Sequence, residues 1–161
     1  MKGDSMMTEK QWLYVNLGGV IAFSLFVLLS FGTAEAGSAH GVMILISEIV
    51  GGLTLVSSIL SLLYIKSEQR FISISIVAFL IAWLIYAIGY EIGIDGETKH
   101  SWIWFFSLYI ILLAGFIVIR ICYKRILGLY KLLPPFLLFL NGMLFVFIIF
   151  IHIWWHLPFT G

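Results

Sequence analysis

Charge is scarce in this sequence. Only 11% of its 161 residues are Asp, Glu, Lys or Arg, while 62% are hydrophobic and 17% aromatic, and soluble domains carry about a quarter charged residues. That shortage excludes a water-solvated fold, and the polar stretches between the apolar runs are too short to hold a soluble domain. Cysteine is nearly absent too: Cys122 is alone, so no internal disulfide can form and a dithiol redox mechanism is excluded. Set between Arg120 and Lys124, it reads as a small residue at a membrane boundary. HExxH, GxSxG, CxxC and the P-loop glycine pattern are all missing, which leaves those catalytic templates unsupported. The net charge of +1 points to neither nucleic acid nor an acidic partner. There is no internal repeat and no low-complexity segment.

What is abundant is long apolar sequence. A helix needs about 20 apolar residues to cross a hydrocarbon layer of about 30 Å. Five such runs are present, and the expected spans are Trp12 to Phe31, Val42 to Ile65, Phe71 to Ile94, Trp102 to Ile121 and Phe136 to Trp155. Each is expected to be helical, because lipid offers a backbone N–H or C=O no partner. The fold class is therefore an all-α polytopic transmembrane bundle, with residues 1–161 as one transmembrane domain. Trp12, Trp102, Trp104, Trp154 and Trp155 fall near span ends, where indoles favour the headgroup region, and only Trp83 lies well inside a span. Pro134 and Pro135 precede the fifth span, where missing amide donors cost least, and set its entry angle.

The basic residues are unevenly placed. Lys2, Lys10, Lys66, Arg70, Arg120, Lys124, Arg125 and Lys131 lie in the N-terminal tail and the second and fourth connections, whereas Lys99 alone lies elsewhere. By the positive-inside rule those segments are cytoplasmic, which puts the N-terminus inside and the C-terminus outside. Lys2 and Lys10 before an apolar run, with Ala34-Glu35-Ala36 after it, also fit a signal peptide. The run of about 20 residues exceeds the usual signal-peptide core, so the uncleaved five-span form is expected. The last five residues, Leu157 to Gly161, resemble the LPxTG sorting signal of Gram-positive cell-wall proteins. A signal of that family is followed by a hydrophobic span and a basic tail, neither of which follows here, so anchoring is not expected.

Within the spans a few residues stand out. Ser47, Gly51, Thr54, Ser58 and Ser61 recur at spacings of four and three along the second span, a small-residue face that lets helices approach closely. That face, read also as a polar path, places the second span at the centre of the bundle. Glu48 is the one acidic residue clearly inside a span. A carboxyl there faces protein or water, pairs, or stays protonated, which makes Glu48 a proton or cation site candidate. His152 and His156 share one helix face at a spacing that can hold a metal ion, although the run from His152 to His156 also reads as an interfacial anchor. With His40 and Glu48 at the same predicted end, they form a candidate set for zinc, iron or copper, and histidines alone could ligate haem. Asn141, three turns before His152, is expected to point into the bundle and hydrogen-bond to a neighbouring helix. Arg120, Lys124, Arg125 and Lys131 form a cluster suited to anionic lipid headgroups.

These observations point first to a small non-enzymatic accessory or interaction subunit of a bacterial-type plasma membrane. Its partners are the lipid bilayer and other membrane subunits or further copies of itself, with no nucleic acid. Two alternatives are a metal- or haem-binding redox protein or enzyme using the His and Glu set, and a proton-coupled transporter using Glu48.

Overall fold

The apolar runs do form helices, since an α-helix closes its own backbone hydrogen bonds in lipid. The computed structural model describes residues 7–35 and 37–155. They form α1 (Glu9–Gly32), α2 (Ser38–Tyr64), α3 (Arg70–Glu91), α4 (Ser101–Arg125) and α5 (Leu133–Trp155), with a single 3-10 turn over Leu129–Leu132. All five runs are long and apolar enough to cross a membrane. Lys2, Ala36, His156 and the segment from Leu157 to Gly161 lie outside the described residues.

Local chemistry sets the helix ends. Thr8 caps α1 in a capping box, the Gln11 amide donating to Thr8 Oγ1 at 3.3 Å and the Thr8 amide donating to Gln11 Oε1 at 2.7 Å. Helix α2 begins four residues earlier than the sequence pattern suggests and α3 stops at Glu91. Pro134 and Pro135 lie in the first turn of α5, where amides have no intrahelical acceptor to lose. Lys124 and Arg125 close the last turn of α4, where cations complement the helix dipole.

Successive helices pack antiparallel, so the connections alternate between two ends. The α2–α3 connection meets the start of α1 through the Lys66 amide, which donates to Glu9 Oε1 at 2.9 Å. Lys10, Lys66, Arg70, Arg120, Lys124, Arg125 and Lys131 gather at this basic end. Glu35, Glu91, Asp95, Glu97, His40 and His100 lie toward the other, acidic end, with Lys99.

The bundle is centred on α3, not on α2 as the small-residue face suggested. Half of the α3 span is buried inside the protein, against 28% of α2. The reason lies on the far side of each helix. The α2 small residues Ser47, Gly51, Thr54, Ser58 and Ser61 are all buried, but Leu45, Ile49, Leu53, Val56 and Leu63 on the remaining surface are exposed. Helix α3 is covered on more than one side, by the α1–α2 pair and by α4 and α5, and buries Ile72, Ile76, Phe79, Leu80, Ala82 and Trp83.

The small α2 face works as a packing surface. A side chain at Gly51 would press into the Trp83 indole and the Phe23 ring, which stack edge-on at 4.7 Å between centroids. Ser47, Thr54 and Ser61 turn their hydroxyls back onto their own helix carbonyls. Nearer the basic end a polar clamp joins three helices. Asn16 of α1 is fully buried, and its Nδ2 donates to Ser61 Oγ at 2.9 Å and to Ser73 Oγ at 3.2 Å. Its Oδ1 accepts from the Ser57 hydroxyl at 2.8 Å.

Interhelical hydrogen bonds in membranes contribute about 0.6 to 1.7 kcal/mol each, and orphaned partners add to the loss. Asn16→Ala is therefore expected to destabilise the bundle by about 1–3 kcal/mol, read as a lower Tm in mild detergent. A Tm equal to that of the parent would mean that the clamp contributes nothing.

Candidate functional site

Two helices bring together the acidic groups that lie deepest. Glu48 stands ten residues into α2, about 15 Å along the helix from Ser38. Glu91 is the last residue of α3. Their carboxyl groups lie close enough to interact and line the same groove. Both are acceptors when ionised, so a hydrogen bond between them requires a proton on one. The pair lines an open groove of about 290 Å³ whose other walls are Trp83, Leu84, Ala87, Ile88 and Ile92. Glu48 is half-buried and Glu91 exposed. Tyr86, half-buried, turns instead to the Trp104 and Phe147 rings. An apolar groove holding two carboxyls can take up a proton, a cation or a hydrogen-bond donor, and nothing in lipid supplies any of these.

On the far side of α3 the histidine of α5 is built into an aromatic cluster. His152 Nδ1 lies 2.7 Å from the Tyr109 hydroxyl, and its ring stacks on Phe105 at 4.3 Å between centroids, with planes 10° apart. Trp155 and Trp104 stack beside it at 6.3 Å. The Trp104 indole donates to the Ile85 carbonyl at 3.3 Å and lies so close to Gly89 that any side chain there would collide with it. Asn141 is fully buried and donates to the Leu112 carbonyl at 3.0 Å, tying α5 to α4 as its position suggested.

His40 is occupied differently. Its Nδ1 lies 2.8 Å from the Ser30 carbonyl, one of the last-turn carbonyls of α1 that need an outside partner. The expected metal set can be followed only in part. Among the described residues no three His, Cys, Asp or Glu side chains come together as metal ligands. Glu48 looks toward Glu91, His40 caps α1 and His152 packs against α4, so these three form no common ligand set. His156, the fourth member, lies outside the described residues.

Sequence reasoning did not pair Glu91 with Glu48, and it passed over Asn16 and Tyr109. Asn16 carries the same signal as Asn141, a lone amide in an apolar run. No family model matches the chain, and no curated protein or solved structure is significantly similar to it.

The α3–α4 connection next to the groove is ordered by Asp95. Its Oδ1 accepts from the Thr98 hydroxyl at 2.7 Å and from the Glu97 amide at 3.1 Å. The Thr98 hydroxyl is the main reason the Asp95 carboxyl titrates below the usual aspartate range. With the folded value lowered, the contribution is present above the unfolded value of about 3.9 and is lost as pH falls through the folded one. Amide exchange over residues 95–98, corrected for its intrinsic pH dependence, is expected to accelerate below about pH 4. Asp95→Asn should show no such step. Protection in the parent that stays constant through that window would contradict the assignment.

Proposed function

We propose that the protein is a non-enzymatic interaction subunit of a larger assembly in a bacterial-type plasma membrane, its basic end toward the cytoplasm. A partner helix docks over the Glu48–Glu91 groove. The observation that carries this reading is the carboxyl pair itself, held in an apolar groove that the chain's own helices leave open. A Lys, Arg or amide donor on a neighbouring helix would satisfy both carboxyls, and pairing of this kind is how ionisable groups persist at membrane depth. Three other polar side chains within the helices support it by contrast. Asn16, Asn141 and His152 each make a hydrogen bond within the bundle, and although Ser58 Oγ and Asn141 Oδ1 are buried without one, only Glu48 and Glu91 of these groups border an open groove that an outside group can reach. The orientation rests on the seven described cations collected at one end.

In mild detergent the parent is expected to run as a complex, with itself or with a second subunit, and Glu48→Ala with Glu91→Ala is expected to dissociate it. A parent that is monomeric with nothing bound contradicts the proposal.

The approach of the two carboxyls also favours a second reading, a proton-coupled transporter in which Glu48 carries the proton and Glu91 shares it. Five unrepeated spans are few for alternating access in one chain, so such a transporter would work as an oligomer. In proteoliposomes carrying an internal pH dye, Glu48→Gln is then expected to cut proton-coupled flux at least about tenfold, the usual scale for losing a proton-transfer group. Unchanged flux removes this reading.

A further inference from the structure

At the opposite end of the bundle, independently of the Glu48 groove, the α4–α5 connection has an unusual surface. No acidic residue occurs after Glu97, yet this stretch carries Arg120, Lys124, Arg125 and Lys131, all exposed. Arg120 and Lys124 are four apart in α4 and share a face, and Arg125 follows in the last helical turn. Between the helices Gly128 adopts a φ of 74°, a left-handed conformation suited to glycine, and turns the chain into the Leu129–Leu132 segment.

Two residues of this connection point inward and the rest outward. Ile126 is buried in the core and Tyr130 packs against it, so the segment is held to the bundle. Leu127, Leu129 and Leu132 point outward at 70%, 81% and 72% exposure, and Leu129 and Leu132 are the two most exposed large hydrophobic side chains of the described protein. Lys131 reaches over the Tyr123 ring at 5.0 Å, which draws it to the same side as the end of α4. Glu68, on the adjoining α2–α3 connection, borders the same depression as Ile126 and Leu127.

Three outward leucines beside four cations, at the level where the helices leave the apolar layer, match a lipid surface in both chemistries. Leucines enter the acyl boundary, and the cations then lie at phosphate depth. We propose that the α4–α5 connection is a binding site for the phosphate headgroup of an anionic phospholipid in the adjacent leaflet. Arg120, Lys124, Arg125 and Lys131 contact the phosphate, and Leu129 and Leu132 hold the segment at the interface.

The test reconstitutes the full chain in nanodiscs of phosphatidylcholine with phosphatidylglycerol as the minor component and counts retained lipids by native mass spectrometry. The parent is expected to retain phosphatidylglycerol preferentially, and each cation replaced, as in Lys124→Gln with Arg125→Gln, should reduce that preference about fivefold. The charge-conserving pair Lys124→Arg with Arg125→Lys should keep it. Leu129→Ser with Leu132→Ser, which leaves every charge in place, should lower it. A parent without preference, or a glutamine pair that keeps the full preference, overturns the proposal. Loss of bound phosphatidylglycerol on adding inorganic phosphate would also overturn it, since the site would then hold a free anion and not a lipid.

Discussion

Everything in this structure follows from a solvent that forms no hydrogen bonds. Lipid forces each of the five apolar runs into a helix, and polar side chains within the helices then bond either their own helix carbonyls, as Ser47 and Thr54 do, or a neighbouring helix. The Asn16 clamp is the clearest case. One amide joins hydroxyls of α2 and α3 to α1, and Asn141 does the corresponding work between α5 and α4. Because apolar attraction between helices is weak in lipid, these polar links and the close approaches at Gly51 and Gly89 set which helices are neighbours. The result is α3 in the middle, with the α1–α2 pair and α4 and α5 around it.

Against that background, Glu48 and Glu91 stand apart as carboxyls that border a groove open to the surroundings, Glu48 from within α2 and Glu91 from the end of α3. Elsewhere the chain supplies a partner from within, the Ser30 carbonyl accepting from His40 and the Tyr109 hydroxyl meeting His152, where one tautomer of the ring completes each bond. At the carboxyl pair the groove is left open. The function then depends on what completes that site, and both proposed readings differ only in whether it is a partner helix or a proton.

Much of the fold was legible from residue order. Five apolar runs, tryptophans at their ends and the segregation of cations follow from hydropathy and charge, and the helices fall within a few residues of the expected spans. The identity of the central helix was not legible. The small α2 face is real and buried, but a packing face on one side says nothing of the other, and the leucine and isoleucine side of α2 faces outward. The candidate site was half legible. Glu48 stands out alone because a carboxyl deep in a span has few explanations. Its partner closes α3 from the opposite chain direction, so their contact depends on helix tilt and relative depth, which no local pattern encodes. The described histidines show the same dependence on packing. Shared depth at one end of the bundle suggested one site, yet α3 stands between Glu48 and His152, and His40 belongs to the end of α1.

The most direct measurement of the central claim, that Glu48 and Glu91 form a lipid-facing carboxyl pair holding a proton between them, is chemical labelling of the reconstituted protein. A lipid-soluble carbodiimide reacts with protonated carboxyls, and peptide mapping by mass spectrometry locates the adduct, with a water-soluble carbodiimide marking Asp95 and Glu97 as a control. The account predicts modification at Glu48 or Glu91 from the lipid phase, abolished when both are glutamine. Labelling of the loop acids alone, with Glu48 and Glu91 both unreactive to the lipid-soluble reagent, would contradict it.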